Sequence, residues 1–117
     1  MSPKKPNLEP QSLTKHFNEA LILSALRRGA KHGYKLALEI EEQSDGRFGF
    51  KHGTLYPILH KLEKEGLIKG AWSEEGQRGR RKLYQLTREG RGYLRDLGNS
   101  WTSLLKHFGE MIGEENS

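Results

Sequence analysis

No cysteine occurs in the 117 residues. That excludes disulfide staples and thiolate chemistry, and it fits a reducing cytoplasm, the compartment expected here. Long apolar runs are missing too. The strongest, residues 20–26, is broken by Ser24 and is too short to span a bilayer, so no membrane partner is expected. The opening MSPKKPNLEPQS holds three prolines and no apolar segment of the kind a secretion signal needs; it reads as a flexible arm. Five histidines, at 16, 32, 52, 60 and 107, form no close metal-binding pair. No glycine-rich loop opens a helix after a strand to cradle a nucleotide phosphate. No cofactor is expected, and nothing resembles a catalytic constellation: Glu41-Glu42 and Glu74-Glu75 are adjacent pairs, which on a helix point in different directions. Apolar residues make up only 33% of the chain against 30% charged, so the single domain has a lean core, part of which a partner subunit would complete.

Cations, by contrast, are abundant and unevenly placed. The net charge is +5, but residues 47–95 carry twelve Lys or Arg against five acids, a net of +7. Residues 96–117 carry one cation against four acids, a net of −3. The densest spot is the stretch GQRGRRKLYQLT, where Arg78, Arg80, Arg81 and Lys82 fall within five positions. Like charges crowded on a glycine-rich loop repel each other, and a polyanion is the partner that turns this to advantage.

Periodicity orders the rest. Residues 17–28, 34–44 and 55–65 read as helices, ending respectively at Gly29, at the SDG stop and at Gly66. With Thr54 as the N-cap of the third, Pro57 falls in the first turn, where a missing N–H costs little. Residues 67–72 and 82–87 read as short strands joined by the basic loop, with Trp72 in the hairpin core. Thr87 then caps a last helix, and Glu89 lies favourably in its first turn. The fold expected is mainly α with a small β-hairpin: a winged helix-turn-helix followed by a C-terminal dimerisation helix. Its parts are an N-terminal arm (1–12), the winged helix-turn-helix (13–87), the dimerisation helix (88–113) and a flexible tail (114–117).

In such a fold the third helix enters the major groove and the wing touches backbone or minor groove. The residues expected to meet double-stranded DNA are therefore Lys51, His52, Thr54, Tyr56, His60, Lys61 and Lys64 on and beside that helix, with Arg78, Arg80, Arg81 and Lys82 on the wing. Cations that release counterions from phosphates gain affinity by crowding there.

Three runs, HGYKLALEI at 32–40, GTLYPILHKLEKEGLI at 53–68 and GRRKLYQLTREG at 79–90, resemble the PadR family of transcriptional regulators over residues 17–94. The resemblance implies a dimeric repressor of the short subfamily, with Tyr56 and its helix neighbours against DNA and residues 79–82 at the wing. This chain departs from the family pattern at Leu83, where an aromatic residue is common, and at Gln85, where a basic one is frequent.

The last helix reads independently. Leu94, Leu97, Trp101, Leu104, Phe108 and Met111 recur at alternating gaps of three and four, and Leu105 and Ile112 widen the stripe. A second copy of the chain is the expected cover, and a two-fold dimer would read a near-palindromic operator. Gly92, Gly98, Gly109 and Gly113 weaken this helix by about 1 kcal/mol each relative to alanine. Leu97, Trp101, Leu104 and Phe108 are also the candidate wall of a pocket for a small aromatic or cationic effector. The alternative function is a winged-helix interaction module whose basic wing contacts an acidic protein.

Overall fold

The computed structural model describes residues 7–73 and 81–113. The expected wing residues Arg78 and Arg80, most of the loop around them, residues 1–6 of the arm and the tail 114–117 lie outside the described residues. A short 3-10 turn, Pro10–Ser12, leads into α1 (Leu13–Arg27), followed by β1 (Lys31–His32), α2 (Gly33–Gln43) and α3 (His52–Lys64). A hairpin of β2 (Ile68–Ser73) and β3 (Arg81–Leu86) comes next, and α4 (Arg88–Gly113) closes the chain. The strands form one antiparallel sheet in the order β1-β3-β2. Residues 7–12, expected as part of the flexible arm, are not detached: Leu8 packs against the core.

The apolar spacing places the core as expected. Ile22, Leu23 and Leu26 from α1, Leu36 and Ile40 from α2, and Leu55, Leu59 and Leu62 from α3 are all buried. Ile68, Tyr84 and Leu86 cover them from the base of the hairpin, and Tyr93, Leu94 and Leu97 from the first half of α4. Two of these correct the expected dimer stripe. Leu94 and Leu97, at 7% and 0% exposure, are covered by the chain's own helices rather than by a second copy. The stripe faces α1 first and leaves the domain only beyond Trp101.

Two element starts also differ. β1 had no expected counterpart; its two residues pair with Tyr84 and Leu83 without any apolar alternation of their own. α3 begins a turn earlier than expected, with Lys51 and not Thr54 as N-cap, because the Lys51 carbonyl accepts the amides of Thr54 (2.9 Å) and Leu55 (2.8 Å). Pro57 is thus inside the helix and not in its first turn. Its ring removes the bond that would otherwise reach Gly53, an exposed residue whose carbonyl water can satisfy.

Helix α3 ends at a left-handed glycine. Gly66 has φ +79°, its N–H donates to the Glu63 carbonyl (3.0 Å), and the Leu67 N–H reaches back to Leu62 (3.0 Å), the paired closure that favours glycine at this position. Thr87 links this turn to α4: its hydroxyl donates to the Gly66 carbonyl (2.6 Å) and accepts the Gly90 N–H (2.9 Å), so it caps α4 as its sequence position suggests.

Gly90 is the tightest point of that junction. A Cβ there would stand 2.0 Å from the Leu67 carbonyl oxygen and 2.8 Å from Leu86 Cδ1. The nearer obstacle is backbone and cannot rotate away. Gly90→Ala is therefore expected to destabilise by about 1–3 kcal/mol, the cost of overpacking. Gly98→Ala, on the same helix with nothing within 4 Å, is expected to gain up to about 1 kcal/mol from helix propensity. Thermal denaturation of both variants should show shifts of opposite sign; a Gly90→Ala chain that melts with the parent would refute the close approach.

A buried polar cluster ties α1 to α4. Glu19 accepts from the Tyr93 hydroxyl (2.7 Å) and pairs with His16 Nδ1 (2.7 Å), and all three residues are buried. Burial, and then the Glu19 carboxylate, hold the Tyr93 phenol well above the usual tyrosine range.

Candidate nucleic-acid interface

Helix α3 turns Leu55, Leu59 and Leu62 inward, and that choice fixes what faces solvent. His52, Thr54, Tyr56, His60, Lys61 and Lys64 are all exposed, as is the cap residue Lys51. The structure thus presents on one helix every α3 residue expected to approach DNA. Tyr56 is more constrained than its neighbours. The site where a Cβ of Gly33 would stand is 2.4 Å from the Tyr56 hydroxyl, so glycine at 33 lets the phenol lie against the start of α2. His52 meets the same ring edge-on at 5.7 Å.

Beside α3, the hairpin extends past the core, and Arg81 and Lys82 at its far described end still touch Tyr34 of α2 and Glu63 of α3. Its helix-facing side carries Ile68, Gly70 and Trp72 on β2, paired with Leu86, Tyr84 and Lys82 on β3. Burial fades along this ladder, from Ile68 at 1% to Trp72 at 58% exposure. Trp72 is therefore not a hairpin core residue as the sequence suggested; only the base of the ladder reaches the core. It stands at the rim of a cleft of about 530 Å³ whose other walls are His32, Tyr34, His52, Tyr56, Arg81, Lys82 and Tyr84. Arg81 lies over the Tyr34 ring (5.2 Å) and donates to its hydroxyl (3.4 Å), while His32 and Tyr34 stack nearly parallel. The cleft joins α2, α3 and the wing into one surface of aromatic planes and cations. Tyr34, Trp72 and His32 were not singled out for it in the sequence, and only the HGY run hinted at the first and last.

Lys82, expected as a phosphate contact, is paired within the chain. Its Nζ is 2.8 Å from Glu63 on α3, and that carboxylate holds the ammonium above the usual lysine range. Burial pushes the neighbouring Tyr84 phenol up as well, against the opposing pull of the Lys82 charge.

The effector wall expected on α4 is not assembled as one surface in the single chain. Leu97 is in the core, Leu104 borders a separate groove with Leu8, and Phe108 is 53% exposed. Trp101 instead meets Phe17 edge-on at 5.7 Å and borders a groove of about 770 Å³ between α1 and α4. Leu21, Leu94 and Leu105 line its apolar side, and Arg27, Arg91 and Arg95 border it with charge. The Trp101 Nε1 is buried with no hydrogen-bond partner among the described residues. Past this point Leu105, Phe108, Met111 and Ile112 are 53–72% exposed.

Among the described residues, no group of three or more His, Asp or Glu side chains could hold a metal ion. No helix among them is long and apolar enough to cross a membrane.

Comparisons with known proteins agree with this geometry. Residues 22–96 match the model of the transcriptional regulator PadR-like family. The negative transcriptional regulator PadR of Bacillus subtilis is 35% identical over 75 residues, 64% of this chain and 41% of that protein. This chain thus matches less than half the length of that relative. A transcriptional regulator from Clostridium thermocellum superposes with a TM-score of 0.78 at 30% identity, covering 86% of this chain and 98% of that one. Bacillus subtilis PadR, solved in complex with operator DNA, superposes with a TM-score of 0.63 at 32% identity over 68% of this chain and 44% of that one. Fold and family are those of regulators and not of enzymes: the chain belongs to the PadR-like family of transcriptional regulators.

Proposed function

We propose that this regulator binds double-stranded operator DNA as a homodimer, represses the adjoining gene, and is released by a small aromatic effector. The observation that carries the DNA reading is the exposed face of α3, with Lys51, Thr54, His60, Lys61 and Lys64, joined through His52 and Tyr56 to the aromatic cleft that holds Arg81 of the hairpin. A recognition helix flanked by a cationic wing suits a major groove with its bordering phosphates. Bacillus subtilis PadR, a relative of the same fold, takes operator DNA as its ligand, which supports the same partner here.

The dimer reading rests on the uncovered end of α4, and two-fold symmetry would make the operator near-palindromic. The effector reading rests on the Trp101 groove: an apolar floor and three bordering arginines that favour an anionic aromatic ligand over a cationic one. Gel shifts with DNA from upstream of the chain's own gene against random duplex test the core of this. An operator bound at least ~1,000-fold more tightly than random DNA is expected. Equal affinity for both would instead favour a module for an acidic protein partner.

A further inference from the structure

The sequence places Lys82 among the phosphate-binding cations, yet its charge is engaged by an acid of the same chain. One carboxylate on α3 holds both strands of the hairpin: Glu63 Oε1 accepts from Lys82 Nζ on β3 (2.8 Å), and Oε2 accepts from the Gly70 N–H on β2 (3.3 Å). The lysine stem reaches Glu63 by running over Gly70, where a Cβ would stand 2.4 Å from Lys82 Cε and 3.1 Å from Cγ. The ammonium is flanked by the Trp72 ring at 5.5 Å and the Tyr84 ring at 5.8 Å. A cation meant for phosphate keeps its donors in water; this one is held by an acid and flanked by two aromatic faces. Ile68 and Leu86 fix the base of the hairpin, and the Glu63 contacts act from the next rung, where Gly70 pairs with Tyr84, to Lys82 one rung further out.

We propose that Glu63 and Lys82 form a bracket that sets the angle of the wing against the recognition helix, making Lys82 a positioning residue for operator selection and not a phosphate contact. This rests on the operator-binding reading above. A correct operator must satisfy helix and wing together, and a wing free to pivot would lose that joint fit. Random DNA, bound through phosphates alone, would tolerate the pivot.

The test measures two quantities on each variant, the ratio of operator to random affinity and the slope of log affinity against log salt. For Lys82→Met the bracket predicts that the ratio falls roughly fivefold, the upper end for a partly exposed ion pair, with the slope unchanged. Glu63→Gln is expected to lower the ratio alike, even though it removes a negative charge facing the DNA. Exchanging the pair, Glu63→Lys with Lys82→Glu, should restore part of the ratio, since it rebuilds the ion pair but leaves the Gly70 N–H without its acceptor. A Lys82 that touches phosphate instead flattens the slope by about 0.9 and leaves the ratio alone. Amide exchange at Gly70 needs no DNA: Lys82→Met and Glu63→Ala should both accelerate it, so the bracket is judged even if the parent chain shows no operator preference. An unchanged Gly70 rate in Glu63→Ala, which leaves no side-chain acceptor, or the slope change with constant ratio in Lys82→Met, overturns the proposal.

Discussion

Replacing Arg78, Arg80 and Arg81 together with alanine is expected to flatten the salt dependence of DNA binding by about 0.9 unit per lost phosphate contact, roughly 2.7 units in all. Affinity should fall alike on operator and random duplex, because phosphates carry no sequence information. Crowding these cations within four positions has a cost in the free chain, where they repel each other, and DNA removes it. The Arg81 guanidinium lies over Tyr34 at 5.2 Å and, among the described residues, donates to its hydroxyl (3.4 Å), so other N–H groups of its five donors would be available to phosphate. The measurement is a titration of binding against salt for parent and triple variant. An unchanged slope would mean the loop does not meet the backbone. Lys82→Met serves as an internal contrast, since the bracket predicts the opposite pattern for a cation next in sequence to Arg81.

What could be read in the sequence was whatever depends on local spacing. The recurrence of Leu55, Leu59 and Leu62, the stop at Gly66 and the cap at Thr87 follow from helix geometry within a few residues, and the structure has each of them. The order of three helices and a hairpin followed, and with it the exposed face of α3. What remained hidden depends on partners distant in the chain. Lys82 looks like its neighbouring arginines until Glu63, 19 residues earlier, is placed beside it. Tyr93 gives no sign of Glu19, 74 residues away. Trp72 has the composition of a core residue, and only the extension of the hairpin past the core exposes it. The heptad stripe misled for a related reason: periodicity states that a helix face is covered but not by what, and the chain's own helices cover its first half, Leu94 to Trp101.

That division of the stripe sharpens the test of assembly. Truncation after Leu94 would strip Leu97, fully buried in this chain, along with Trp101, so a failed truncation would report a broken core as readily as a lost partner. Phe108→Asp with Met111→Asp touches only the uncovered end, at 53% and 72% exposure. Neither side chain belongs to the core, so the domain is expected to stay folded, with its melting temperature falling only as far as dimer dissociation takes it. Two carboxylates on the seam, repeated by symmetry on the partner helix, place four charges where apolar contact is required, and desolvating them is prohibitive. Light scattering should then give the mass of one chain where the parent gives two. Operator affinity should drop by about 10²–10⁴-fold, because the second half-site is no longer bound from a tethered neighbour. Binding to an isolated half-site should hardly change, since α3 and the hairpin keep their surface. If the double variant stays dimeric, the subunits meet elsewhere and the exposed end of α4 has another role. If it becomes monomeric and still binds the full operator as the parent does, repression does not depend on pairing two recognition helices.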